Sequence, residues 1–112
     1  MGFNFQKLNV YQKSLAVSID LVKIAIKFPN VYRRITDQLI AAIISIPLNI
    51  AEGSGRATQK DRNQFYRIAK TSAYEVIAIL DICDNIKLIN NTDVFERIEE
   101  ICRMLSGLIK SG

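Results

Sequence analysis

Histidine and tryptophan are absent from this 112-residue chain, which has only two cysteines, two prolines and five glycines. Without histidine there is no Ser-His or Cys-His pair to activate a nucleophile. The commonest zinc ligand is missing as well, and Cys83 and Cys102 do not form a Cys-x-x-Cys pair. Both cysteines fall at apolar positions of helical patterns and read as small buried hydrophobes rather than a disulfide. No glycine-rich phosphate cradle is present, because Gly53-Ser54-Gly55 is too short and ends a helix. Fixed-period repeats and sustained strand alternation are also lacking. The longest uncharged run, Gln38 to Ala51, contains Pro47 and stops at Glu52, which is read as short of a membrane span. The first residues, Met-Gly-Phe-Asn-Phe-Gln-Lys, lack the apolar centre of a signal peptide. The expectation is a cytoplasmic protein with no cofactor, no metal and no membrane partner.

What is present is a globular composition, with 49% hydrophobic and 23% charged residues. That suits a single domain over residues 1–112. The net charge of +4 is unevenly spread. Residues 1–60 hold eight Lys/Arg against three Asp/Glu, and residues 61–112 seven against eight. A basic first half is compatible with an anionic partner.

Hydrophobic period and punctuation predict four helices. The first runs from about Asn9 to Lys27 and stops before Pro29. Leu8, Tyr11, Leu15, Ile19, Val22 and Ile26 form one apolar face. Val10, Val17, Leu21 and Ile24 form a second on the other side, and a second face suggests a subunit contact. The next helix is expected to start near Thr36 as its cap, bend at Pro47 and stop at Gly53 and Gly55. Thr58 and Asp61 resemble a capping box opening a third helix to about Lys87. Its expected core face is Phe65, Ile68, Ala69, Val76, Ile79, Leu80, Cys83 and Ile86. Asn90-Asn91-Thr92 reads as a turn and cap before a last amphipathic helix bearing Val94, Ile98, Ile101, Leu105 and Leu108. The fold class is all-α, an antiparallel up-down four-helix bundle.

The second helix carries a line of polar residues on an otherwise apolar surface. At about 100° per residue, Gln38, Ser45, Asn49, Glu52 and Arg56 share an arc of roughly 60°. Ser72 and Glu75 are the polar residues nearest the core side of the third helix. The simplest construction joins the two sets in a buried network, with Arg56 neutralising one or both glutamates. Such a network fixes register and assembly, and breaking it costs several kcal/mol. Two glutamates can serve as acid and base, but no second catalytic component accompanies them. The candidate nucleic-acid contacts are Arg33 and Arg34, then Arg56, Lys60, Arg62, Arg67 and Lys70. Tyr66 and Tyr74 are interleaved with the later ones, a pattern that can neutralise phosphates and stack bases.

Val10-Tyr11-Gln12-Lys13-Ser14-Leu15, Phe28-Pro29, Thr36-Asp37-Gln38-Leu39 and Ser45-Ile46-Pro47-Leu48-Asn49-Ile50-Ala51-Glu52-Gly53 occur in that order. Phe65, Ile68-Ala69, Ser72 and Glu75 follow. Over residues 8–88 the chain resembles the four-helix-bundle proteins encoded in intervening sequences of bacterial 23S ribosomal RNA genes. A related group is the accessory variability determinant of diversity-generating retroelements. The resemblance implies a non-enzymatic bundle that assembles into a homopentameric ring and associates with RNA or DNA. In the retroelement group it also implies a protein partner, a reverse transcriptase. Ile40 and Ala41 stand where such proteins often carry arginines, and Thr71 where a glycine commonly precedes the serine. The alternative is a protein-interaction scaffold with no nucleic-acid role.

Overall fold

A computed structural model describes residues 3–90 and 93–109. The helices are α1 (Asn9–Ala25), α2 (Arg33–Ser54), α3 (Gln59–Asn85) and α4 (Asp93–Leu108). Short 3-10 turns, Asn4–Lys7 and Asn30–Tyr32, precede α1 and α2. No strand occurs among the described residues. α2 packs on α1 and α3, and α4 on α3 and α1, while the diagonal pairs do not meet. Lys13 meets Glu100 and Asp20 meets Arg97, so α1 and α4 run in opposite directions, and the short turn between α2 and α3 brings Ser72 back beside Ser45. This is the antiparallel up-down four-helix bundle that the hydrophobic pattern predicts.

Local chemistry explains most boundaries. The Thr58 hydroxyl accepts from the Asp61 N–H at 3.1 Å and caps α3 as expected. At the other end Lys87 adopts a left-handed conformation, φ 65°. The N–H groups of Lys87 and Leu88 reach the Asp84 and Cys83 carbonyls at 3.1 and 2.8 Å. The two bonds close the last turn, at a cost of about 1 kcal/mol for a side chain in that conformation.

The start of α2 differs from expectation. It begins at Arg33, and the Thr36 hydroxyl donates to the Tyr32 carbonyl at 3.2 Å instead of capping. Pro29 starts a turn, closed by the Tyr32 N–H on the Pro29 carbonyl at 2.9 Å, that feeds straight into the helix. Gly53 lies inside α2 rather than ending it, and Gly55 is the cap. Asn91 and Thr92, expected in the turn before α4, lie outside the described residues.

Pro47 is buried in α2 and cannot donate to the Ile43 carbonyl. The buried Ser18 of α1 supplies the missing donor, its hydroxyl reaching that carbonyl at a long 3.4 Å. Ser14 is buried as well, and donates to the Tyr11 carbonyl at 2.8 Å. These satisfied serines let α1 turn its smaller face inward. Val10, Val17, Leu21 and Ala25 are in the core, while Leu15, Ile19 and Ile26 are exposed. The core face of α1 is therefore the second of the two expected, while the first is split, with Leu8, Tyr11 and Val22 half-buried against the core and Leu15, Ile19 and Ile26 left outside.

α3 is corrected in the same way, because its buried face lies about one residue round from that predicted. Tyr66, Ala73 and Asn63 are buried, whereas Ile68 and Ile86 are exposed and Phe65 is half-buried. Cys83 and Cys102 are buried free thiols, as expected, and burial pushes both thiol pKa values up.

The apolar run of α2 is longer than the sequence expectation allows. Asn30–Ser54, with mean hydropathy 1.3, is long and apolar enough to cross a membrane by length and composition. A single proline and a terminal charge do not lower an 18-residue average enough to prevent that. In the bundle this helix sits between α1 and α3 with Leu39, Ile43, Ile46 and Ile50 fully enclosed.

Candidate functional site

The polar stripe of α2 divides into an inner and an outer part. Ser45 Oγ lies 2.8 Å from Ser72 Oγ of α3. Asn49 Nδ2 donates to the Ser45 carbonyl at 2.8 Å and to the Ser45 hydroxyl at 3.0 Å. This three-residue chain, half-buried to buried, bonds α2 to α3. It is the part of the expected network that forms.

The charged part does not join it. Arg56 and Glu52 pair at 3.0 Å with side chains 46% and 58% exposed. Glu75 and Gln38 are exposed, and neither makes a hydrogen bond or ion pair to a described residue. The reason is positional. Arg56 lies just past the end of α2, where its guanidinium stacks over the Phe65 ring at 4.5 Å instead of turning inward.

An exposed i,i+4 pair contributes about 0.5 kcal/mol, not the several that a buried one would. Glu52→Gln is therefore expected to fold normally and lose less than about 1 kcal/mol, read from its urea midpoint. A loss several times larger would mean that the carboxylate is enclosed.

The seven candidate cations do not form one patch. Arg33 and Arg34 open α2, and Arg33 Nε lies 4.0 Å from Asp37. At 1.5 Å per residue, the helix carries them about 30 Å from Lys60 at the start of α3. Arg56 is held by Glu52 and Phe65. Arg62 donates to the Arg56 and Ala57 carbonyls at 2.9 and 3.3 Å, closing the α2–α3 turn.

Lys60, Arg67 and Lys70 remain, and their spacing of seven and three places them on one flank of α3. Neither Arg67 nor Lys70 has a carboxylate partner among the described residues. The interleaved aromatics part company as well. Tyr74 is 59% exposed, whereas Tyr66 is 5% exposed and packs against Gly53. Burial raises the Tyr66 hydroxyl pKa, which the nearby Arg62 charge partly offsets.

Sequence reasoning missed what lies beside that flank. α3 and α4 enclose a groove of about 520 Å³, lined by Lys70, Tyr74 and Ile77 on one side and Phe95, Cys102 and Arg103 on the other. Glu99 also lines it, but is paired with Arg103 at 2.8 Å. A second hollow continues it past Arg67, Thr71 and Ser106. Most of the groove's lining comes from α4, which starts about 20 residues after Tyr74, so no local motif announces it. No group of three or more Asp, Glu, Cys or His side chains gathers among the described residues.

The opposite side of the bundle is oily. Lys13 and Asp20 mark the α4 flank of α1 through their ion pairs with Glu100 and Arg97, at 3.2 and 2.8 Å. Leu15, Ile19 and Ile26 lie on the other flank, towards α2, whose Ile44 and Leu48 are also exposed. Ile26 is 63% and Leu48 60% exposed.

Comparison with curated proteins gives no match. Residues 6–109 match the family model described as 23S rRNA-intervening sequence protein.

Proposed function

The chain belongs to the 23S rRNA-intervening sequence protein family, and from that premise we propose a non-enzymatic, homo-oligomeric scaffold whose basic surface holds RNA or DNA. The protein works in the cytoplasm without a cofactor, and copies of it close into a ring, a pentamer in the first instance. Support for assembly comes from the aliphatic stripe across α1 and α2, Leu15, Ile19, Ile26, Ile44 and Leu48, left open by a single chain.

Covering about 400 Å² of such surface contributes roughly 10 kcal/mol at 25 cal/mol per Å². That is comparable with the roughly 4–15 kcal/mol that association costs. Large exposed apolar patches mark interaction sites.

The single observation that carries the nucleic-acid half is the α3 flank. Lys60, Arg67 and Lys70 lie on one face beside the exposed Tyr74, and neither Arg67 nor Lys70 has a carboxylate partner among the described residues. Repeated around a ring, a modest charge per chain becomes a strong field, and several weak contacts act together. The mechanism is electrostatic positioning of phosphates, with little dependence on base sequence.

A salt titration of RNA and DNA binding tests this. Three phosphate contacts per chain predict a log-log slope near −2 to −3 for each chain engaged. Binding that does not weaken with added salt, or no binding at low salt, removes the nucleic-acid half. In that case the open aliphatic stripe favours the second reading, a scaffold for a protein partner.

A further inference from the structure

We propose that the groove between α3 and α4 receives an unpaired nucleotide of a single-stranded nucleic acid. The base lies against Tyr74 and the phosphate between Arg67 and Lys70. The inference rests on the nucleic-acid reading above and adds where the strand binds and which form of it fits.

Charge singles out this groove. On the α1–α4 side the cations that reach across are neutralised, Lys13 by Glu100 and Arg97 by Asp20. On the α3–α4 side Glu99, the one acidic lining residue among those described, is bonded to Arg103 on its own helix. Among the described residues Arg67 and Lys70 have no carboxylate partner, so an anion entering here meets positive charge.

The interior is mostly apolar. Ile77, Phe95 and the buried Cys102 form its floor, and Tyr74 stands 59% exposed at its edge. A groove of about 520 Å³ falls within the usual size range for small-molecule sites, on the order of 300–1,000 Å³. A ligand that suits it carries an anionic group on a planar, weakly polar body, which is the chemistry of a nucleotide.

Lys70 Nζ stands over one face of the Tyr74 ring, 5.9 Å from its centre, so a base would stack on the other face. A base covering that ring brings its own phosphate within reach of the ammonium. Duplex bases are already stacked on one another, so only a splayed single strand can offer a free face.

Fluorescence anisotropy with short labelled oligouridine, oligodeoxythymidine and a duplex of equal length separates the possibilities. The full chain is expected to bind the single strands at least about tenfold tighter than the duplex. Tyr74→Ala is expected to lose on the order of tenfold for single strands, because base–aromatic stacking contributes about 1–3 kcal/mol. Tyr74→Phe should retain binding, and Arg67→Gln should lower the salt slope by about 0.7. Comparing the ribo and deoxy strands identifies which polymer is preferred, and either preference supports the site.

Equal affinity for duplex and single strand, with Tyr74→Ala unchanged, overturns the groove but leaves the basic surface standing. Failure to bind any of the three at low salt sinks both. A changed particle mass for Tyr74→Ala in light scattering also overturns the site, since it would show the groove to be a subunit contact.

Discussion

Gly53→Val is expected to destabilise the bundle by about 3 kcal/mol, a large part of a total stability of roughly 5–15 kcal/mol. A Cβ at this position would lie 2.8 Å from Tyr66 Cε1, 3.0 Å from Tyr66 Cδ1 and 3.1 Å from Phe65 Cβ. Tyr66 is buried and has no free space to swing into, so α2 and α3 must move apart. That separation would also strain the bond between Ser45 and Ser72 two turns away.

Alanine should cost less, because its better helix propensity returns nearly 1 kcal/mol against a smaller clash. Urea unfolding of the two variants beside the parent measures both. If Gly53→Val lies within about 1 kcal/mol of the parent, the close approach of the helices there is not what holds them.

The second large effect concerns assembly. Ile19→Asp combined with Leu48→Asp is expected to turn the proposed oligomer into single chains while leaving the helical content unchanged. Both side chains are exposed in the isolated bundle, so charging them costs the fold little, about 0.5 kcal/mol each. In an interface, each buried and unpaired carboxylate would cost several kcal/mol, and every contact in a ring repeats the penalty. Light scattering across a concentration series reads the result. An unchanged mass in the variant would place the interface elsewhere. A parent that is already a single chain at micromolar concentration would end the assembly reading.

Both variants sit where the sequence was informative but incomplete. The hydrophobic period marked the helices, because core positions must recur at 3.6 residues whatever their partners are. Thr58 before Asp61 marked the start of α3 for an equally local reason, since a cap needs only its own next turn. By its local context Gly53 reads as a helix stop. Its φ is unexceptional inside α2, and only the close approach of Tyr66 and Phe65 from the next helix gives a reason for glycine there.

The same distinction governs the candidate sites. Glu52 and Arg56 pair because they are four apart on one helix, a fact the sequence holds by itself. Whether that pair is buried depends on where α3 passes, and α3 leaves it in solvent. The cations were all visible in the chain, but helix direction put Arg33 and Arg34 at one end and Lys60 at the other. Arg62 was drawn into the α2–α3 turn by two carbonyls that no charge count could foresee.

Composition, periodicity and capping residues alone determined an all-α chain of four helices with buried thiols and no histidine chemistry. These follow from interactions within a few residues, which the order of side chains specifies directly. Which face of α1 turns inward, which half of the polar stripe is covered, and that Tyr74 and Phe95 border one groove were decided only by the tertiary structure. Those outcomes depend on the close fit of side chains from distant segments, where a satisfied serine is accepted in the core and an isoleucine is left outside.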